Sequence, residues 1–393
     1  MDVIIFVANG FNRENARLQP WRYVYELALS RSKNCDVYII TEGEQDQYIE
    51  KWNENLKIIK TRFLNIKQQQ KMNDIVVSLN PQEIWWSTTP RTLAFYSVLK
   101  HNNCQIISFI TCPLYTWGEL LNAAISGVPF SQTKALWQQR LIPRFIFKWF
   151  LNRNFINKVV VQSKKNQIIL YKLGVSNNKI RLIPVGVDKA DAEPVNQSIV
   201  EKIKQQHSEL KDKVIYLYFG AIRPIRGFDA LIKAFSVAIK ENSNMHLVVL
   251  ARGADEQTCE VLIKKFTNIG LGENITIIGG WLTKEDVWSY IEISDIAVLP
   301  FILVPSDIPI AVLEAMARGK PVVVSNVDGL PEMARGRGVI VDPLNKKKFS
   351  EQLYLLSIDD KRRRDLGISA HEYMQTYPDW EEVGNIAKNA VQE

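Results

Sequence analysis

With 393 residues, 46% of them hydrophobic and 23% charged, the chain has an ordinary globular composition and length enough for two or three domains with sizeable cores. Cys35, Cys104, Cys112 and Cys259 form no CxxC pair and no Cys/His cluster, which argues against structural zinc or a disulfide framework and fits a reducing cytoplasm. The net charge of +7 is unevenly held: residues 1–190 carry 25 Lys/Arg against 13 Asp/Glu, the remainder 24 against 29.

The chain opens with "MDVIIFVANGF", a strand running into a Gly turn without the basic start of a signal peptide. No window of about 18 uninterrupted apolar residues follows anywhere, so no membrane span is expected. In the first half "VIIFVA", "DVYIIT", "EIWW", "QIISFI" and "KVVVQS" read as strands, with helical patterns such as Trp21–Ser30 between them. The polar stretch "ENLKIIKTRFLNIKQQQK" fits neither period firmly.

From Leu120 to Val187 there are 11 Lys/Arg and no acid. Within this span "ALWQQRLIPRFIFKWFLNRNF" interleaves Arg140, Arg144, Lys148 and Arg153 with Trp137, Phe145, Phe147, Trp149 and Phe150 at helical spacing. Such a pattern suits a surface resting on anionic lipid headgroups, with Arg140, Arg144, Lys148, Trp149 and Arg153 as its contacts. It also suits a core helix whose aromatics face inward and cations outward. A basic aromatic patch can bind nucleic acid too, but no nucleic-acid motif accompanies it and none is expected as a partner.

The first half closes around "IRLIPVGVD", and residues 188–213 read as a polar linker with a short helix. The second half restarts with "VIYLYFG", "MHLVVLARG", "ITIIGG", "DIAVLPF", "PVVVSN" and "GVIVDP", each followed by a helix-length segment. The expected fold class is α/β: two doubly wound domains facing a cleft, a common place for a small-molecule site. In "PSDIPIAVLEAMARGKPVVVSN", Ser306 or Asp307 is placed to cap a helix, Pro309 suits its first turn, and Gly319 ends it. One acid, Glu314, interrupts that small apolar helix, whose N-terminal loop lies at a ligand-binding sheet edge.

Four segments now fall in register: "VVVQSKKNQIILYKLGVSNNKIRLIPVGVD", "YFGAIRPIRGFDALIKAF", "GGWLTKEDVWSYIEISDIAVLP" and "LEAMARGKPVVVSNVDGLPEM". Together they resemble the C-terminal half of family 4 retaining glycosyltransferases, enzymes of the GT-B fold that use nucleotide sugars. The likeness is specific over residues 158–340 and loose before. It implies an N-terminal acceptor-side domain (1–187), a donor-binding domain (188–377), and a last helix, about 378–393, returning to the first.

The resemblance also implies roles. Glu314, in the position of the family's ribose-binding Glu, would accept from both hydroxyls of the cis-diol. Arg226 fills a slot usually held by Lys, where a guanidinium can grip the leaving diphosphate; Arg223 would stand in for an Arg that this chain replaces with Ala221. Gly220, Ser306, Asp307, Ile308, Ile310, Gly280 and Trp281 complete the expected donor side. Ser306 replaces a Glu that many relatives place against the sugar. On the acceptor side Asn9 and Gly10 hold the first turn, and Thr111 and Tyr115 stand where relatives often have a His; His101, His207, His246 and His371 do not match that motif. No DxD-type motif appears, so neither metal nor cofactor is expected beyond a UDP- or GDP-sugar donor. The implied reaction is retaining hexose transfer to a lipid-linked glycan or polysaccharide precursor, by a cytoplasmic protein peripheral to the membrane's inner face; the oligomeric state stays open. A degenerate nucleotide-sugar-binding subunit and a GT-B epimerase are the alternatives.

Overall fold

A computed structural model describes residues 2–43, 48–62, 69–89 and 104–392; His101 and part of the unassigned polar stretch lie outside them. Two sheets organise the chain. The first contains β1 (Val3–Val7), β2 (Asp36–Glu42), β3 (Tyr48–Lys51), β4 (Leu56–Thr61), β5 (Glu83–Ser87), β6 (Gln105–Ile110), β7 (Lys158–Val161) and β8 (Ile180–Leu182). The second contains β9 (Val214–Gly220), β10 (Met245–Arg252), β11 (Ile275–Gly280), β12 (Ile296–Leu299), β13 (Val322–Ser325) and β14 (Gly338–Val341). Their spatial orders are 3-4-2-1-5-6-7-8 and 11-10-9-12-13-14. Every pairing is parallel except β3 with β4.

The strands are short and apolar because both faces are covered. Residues 215–219 of β9 and 322–325 of β13 are buried without alternation, the pattern of a sheet with helices on both sides. The ambiguous polar stretch resolves into β4 and the beginning of the helix Gln69–Leu79. β3, unforeseen, is an exposed edge strand, so no buried face stamps a period on its sequence.

Parallel strands carry all their C-terminal ends to one edge. In the first sheet the chain winds outward from β1 and returns at β5; in the second it winds outward from β9 and returns at β12. Each reversal opens a crevice at the strand ends. One apolar cluster runs from Phe6 and Trp85 of the first sheet to Leu217, Leu299 and Val324 of the second, so the two share a core. The last helix, Trp380–Gln392, returns to the first domain: Trp380 packs edge-on against Tyr23 at 6.5 Å, and Lys33 pairs with Glu381 at 2.9 Å.

Candidate donor site at the switch point of the second sheet

The loops after β9 and β12 meet where the strand order reverses. Ile225 accepts backbone hydrogen bonds from Ile302 (3.0 Å) and Leu303 (3.3 Å), tying the two loops together. Gly227, in the left-handed region (φ +73°), lets the turn abut Pro300; a side chain there would drive into the Pro300 carbonyl. Gly220 does the corresponding work for Arg226, because a Cβ on it would collide with the guanidinium.

Arg226 is thus held in place by its surroundings. Its guanidinium lies 4.8 Å from the Phe301 ring centroid and its Nη2 donates a long bond (3.4 Å) to the Phe219 carbonyl. Its Nε is buried without a partner, leaving donor capacity for a ligand. Arg223, in the same loop, is exposed. Arg252, the last residue of β10, completes the cluster and was not anticipated from sequence. Partial burial of its guanidinium, then the like charge of Arg226, lower its pKa, with Glu314 opposing and Arg223 adding. Three guanidinium groups held within mutual electrostatic reach are unfavourable unless an anion joins them.

Glu314 faces the same space from the helix Ile310–Ala317. It is half-buried, and among the described residues no group donates a hydrogen bond to its carboxylate. Burial, reinforced by Asp191, pushes its pKa up to about 7, against the pull of Lys284 and Arg22. A half-buried acceptor without a donor, within electrostatic reach of Arg252, suits a polyol next to a diphosphate.

The helix is capped differently from expectation. Its N-cap is Pro309, and neither Ser306 nor Asp307 bonds its first turn. Both residues are buried, and Asp307 turns the other way: its Oδ2 accepts from Ser163 Oγ (3.0 Å) and Asn166 Nδ2 (2.7 Å) of the first domain. At the other end Gly319 and Lys320 donate to Met316 and Ala315, a Schellman turn with Gly319 left-handed at φ +68°. Ile308 is buried and Ile310 half-buried beside the helix start. Gly280 ends β11 and Trp281 follows it at the same edge, where the exposed indole lies 6.0 Å from the Arg252 guanidinium.

Across the cleft Asn9 and Gly10 follow β1, at the first sheet's own reversal. Their carbonyls accept from Trp21 Nε1 (2.9 Å) and Asn15 Nδ2 respectively, which fixes the turn. Tyr115 does not present a free acceptor-side hydroxyl. It is buried, its OH donates to the Val304 carbonyl (3.1 Å), and the Val304 N–H donates back to it (2.8 Å). Thr111 is buried beside it and bonds Cys112. Tyr115 thus ties the first domain to the donor-side loop.

The basic aromatic segment also differs. Pro143 divides it into two helices, Phe130–Leu141 and Arg144–Leu151, since proline disfavours the helical conformation at Ile142. Arg144 does not face outward: its Nη2 donates to the carbonyls of Leu114 (3.2 Å) and Tyr115 (2.8 Å). Arg140 stacks on Trp117 and Arg153 on Trp149, each 4.8 Å from the ring centroid.

With this geometry in view, the comparisons with known proteins give the class. Residues 199–373 match the glycosyl transferases group 1 family. The Escherichia coli UDP-Gal:alpha-D-GlcNAc-diphosphoundecaprenol alpha-1,3-galactosyltransferase is 24% identical over 60% of this chain and 62% of its own length. The Campylobacter jejuni N,N'-diacetylbacillosaminyl-diphospho-undecaprenol alpha-1,3-N-acetylgalactosaminyltransferase is 26% identical over 86% of each chain. Among solved structures, Anabaena HepE in complex with UDP-glucose superposes with a TM-score of 0.71 over the full length of both chains at 14% identity, a likeness of fold. Residues 199–373 thus match the group 1 glycosyltransferases, and the chain as a whole shares the two-domain GT-B fold of such enzymes.

One test of the site follows from Glu314. Glu314→Gln is expected to weaken donor binding by roughly 1.5–3 kcal/mol, the range for hydrogen bonds to a charged group, while the protein stays folded. The free carboxyl is protonated below a pKa of about 7, so wild-type affinity should rise with pH through that value and the variant's should stay flat. Calorimetric titration with a UDP-sugar and a GDP-sugar, whose diphosphate diesters do not ionise in this range, from pH 5.5 to 8.5 measures both. Equal affinities in wild type and variant would remove Glu314 from the site.

Proposed function

We propose that the protein transfers a hexose, with retention, from a UDP- or GDP-sugar to a lipid-linked glycan or polysaccharide precursor at the inner face of the membrane. The observation that carries this reading is the convergence of Arg223, Arg226, Arg252 and the unpartnered Glu314 at the switch point of the second sheet. The names of the two relatives, both acting on diphospho-undecaprenol-linked sugars, support the acceptor class.

In this reading Glu314 accepts from the ribose hydroxyls, and Arg226 and Arg252 neutralise the diphosphate. Charge builds on the diphosphate as the bond between the anomeric carbon and its oxygen breaks, so cations fixed there favour the transition state over the ground state. The acceptor oxygen bonds the anomeric carbon on the face the diphosphate leaves, and its proton passes to a departing phosphate oxygen. No protein nucleophile is required. Ser306, where many relatives place a Glu, lies buried in the donor-side loop and offers no charge to the sugar; this bears on which hexose is accepted. It also keeps alive a second reading, a subunit that binds nucleotide sugar without turning it over.

Thermal stabilisation across a panel of UDP- and GDP-sugars should select the donor. Slow hydrolysis of that donor, with the released hexose assigned by NMR before mutarotation, then tests both transfer and retention. Stabilisation by a donor with no hydrolysis and no transfer to a diphospho-polyprenyl sugar would replace the enzyme by the binding subunit.

A further inference from the structure

Large hydrophobic side chains are exposed in one region far more than elsewhere. Of the 22 such residues among the described ones, eight lie between Trp117 and Trp149: Trp117, Leu121, Ile125, Phe130, Leu141, Phe145, Ile146 and Trp149. They belong to three consecutive helices, Trp117–Ile125, Phe130–Leu141 and Arg144–Leu151. In the last of these, Phe147, Phe150 and Leu151 supply the buried side. Phe145 (72% exposed) and Trp149 (50%) are surplus to that packing, and they stand four residues apart on one helix face.

Beside this face lies a cavity of about 590 Å³, lined by Phe145, Lys148, Trp149, Asn152, Arg153, Asn154 and Phe155. Its charged groups are two cations. Lys148 is exposed, Arg153 is stacked on Trp149, and neither has a carboxylate partner among the described residues. The acid nearest in sequence is Glu119, which is already paired with Lys165 at 2.9 Å. No described helix is long and apolar enough to cross a membrane.

We propose that this face seats the protein on an anionic bilayer. Phe145 and Trp149 enter the interface, and Lys148 and Arg153 hold a lipid phosphate at the mouth of the cavity. Charge complementarity selects the occupant: the cavity is lined by Lys148 and Arg153 with no carboxylate, beside the exposed rings of Phe145 and Trp149, and an anionic headgroup over an apolar layer complements both halves of that face. Trp at a helix end, apolar on one side and polar on the other, is suited to that depth. The division of labour differs from a purely electrostatic patch, because Arg144 is spent on backbone carbonyls and Arg140 on Trp117. The inference rests on the membrane location proposed above, but it can fail while transferase activity stands.

The test is co-sedimentation of the full chain with phosphatidylcholine vesicles, with and without phosphatidylglycerol, at low and at high salt. Wild type should bind only the phosphatidylglycerol vesicles, and less at high salt. Lys148→Ala/Arg153→Ala should weaken binding roughly 20–30-fold, from about fivefold per cation near such a surface. Phe145→Ser/Trp149→Ser should weaken it by at least about tenfold at unchanged salt dependence. Donor hydrolysis in solution should be unchanged in both, which separates a lost surface from a lost fold or a failed enzymatic reading. Wild type that ignores anionic vesicles overturns the proposal. So does a wild-type dimer in light scattering that the serine variant turns into a monomer, since the face would then bind a second copy.

Discussion

Arg226→Ala is expected to lower turnover by about 100- to 1,000-fold while changing donor affinity far less. The asymmetry follows from position. Arg226 is fixed before any ligand arrives, by Phe301 on one side and by the Gly220 backbone on the other, so its charge needs no reorganisation when the leaving group ionises. The ground-state diphosphate can lean on Arg223 and Arg252, whereas the transition state adds charge where the fixed cation stands. Arg252→Ala should lose less, because that residue lacks the contacts that fix Arg226 and lies 6.0 Å from the exposed Trp281 ring, and the double variant should lose less than the two losses combined, since the cations share one anion. Michaelis constant and turnover measured for donor hydrolysis decide it. A rise in Michaelis constant with turnover intact would show that Arg226 binds substrate and transition state equally. Arg226→Lys should recover part of the loss through charge alone.

How far the sequence announced this site depends on what kind of signal each residue leaves. Glu314 was legible because it is an acid in an apolar helix between two strand-like runs. Arg226 was singled out through the family resemblance, by its slot before a glycine, and the structure gives that glycine a reason: Gly227 must press on Pro300. Arg252 was missed although its strand, "MHLVVLARG", was recognised. What brings it to Arg226 is the pairing of β10 with β9, a long-range fact. Tyr115 and Asp307 make bonds that the sequence did not announce. Each was assigned to a ligand on the strength of its place in a loop, but their bonds run to the opposite domain, and nothing local in sequence encodes a partner 141 to 189 residues away. The basic aromatic segment shows the same limit in reverse. Its charge pattern was plain, but which cations reach outward depended on the helix break at Pro143 and on two carbonyls near Leu114.

The domain contact yields the second large expected effect. Asp307→Ala should destabilise the protein by about 3–5 kcal/mol, the cost of removing one member of a buried polar cluster and stranding the rest. The rest includes Ser163 and Asn166, and Asn166 also accepts from the Leu114 N–H (3.0 Å), so the loss would spread to the loop that carries Tyr115. Asp328 is the other carboxyl at this contact. It is buried, holds a left-handed backbone (φ +43°), has no ordinary donor to either of its oxygens among the described residues, and lies within the electrostatic reach of the Asp307 carboxyl. Two buried carboxyls within reach of each other favour the state in which one keeps its proton. Burial first, and the neighbouring carboxyl for Asp328, raise both pKa values, that of Asp307 to about 7. The folded protein therefore holds a proton that the unfolded chain releases near its ordinary carboxyl pKa. The stability this contributes is complete below about pH 4 and is lost as pH rises through about 7. Asp328→Asn replaces the held proton by a fixed amide donor and tolerates the left-handed backbone. It should melt on the order of 2–4 °C above wild type at pH 8, about 1 kcal/mol in a domain of this size, and lose the advantage by pH 5. Melting curves of the two proteins across that range isolate the pair, because the Glu314 carboxyl titrates identically in both. A variant that melts below wild type at pH 8 would mean that Asp328 serves the fold as a carboxylate, and that the two domains are joined without a held proton.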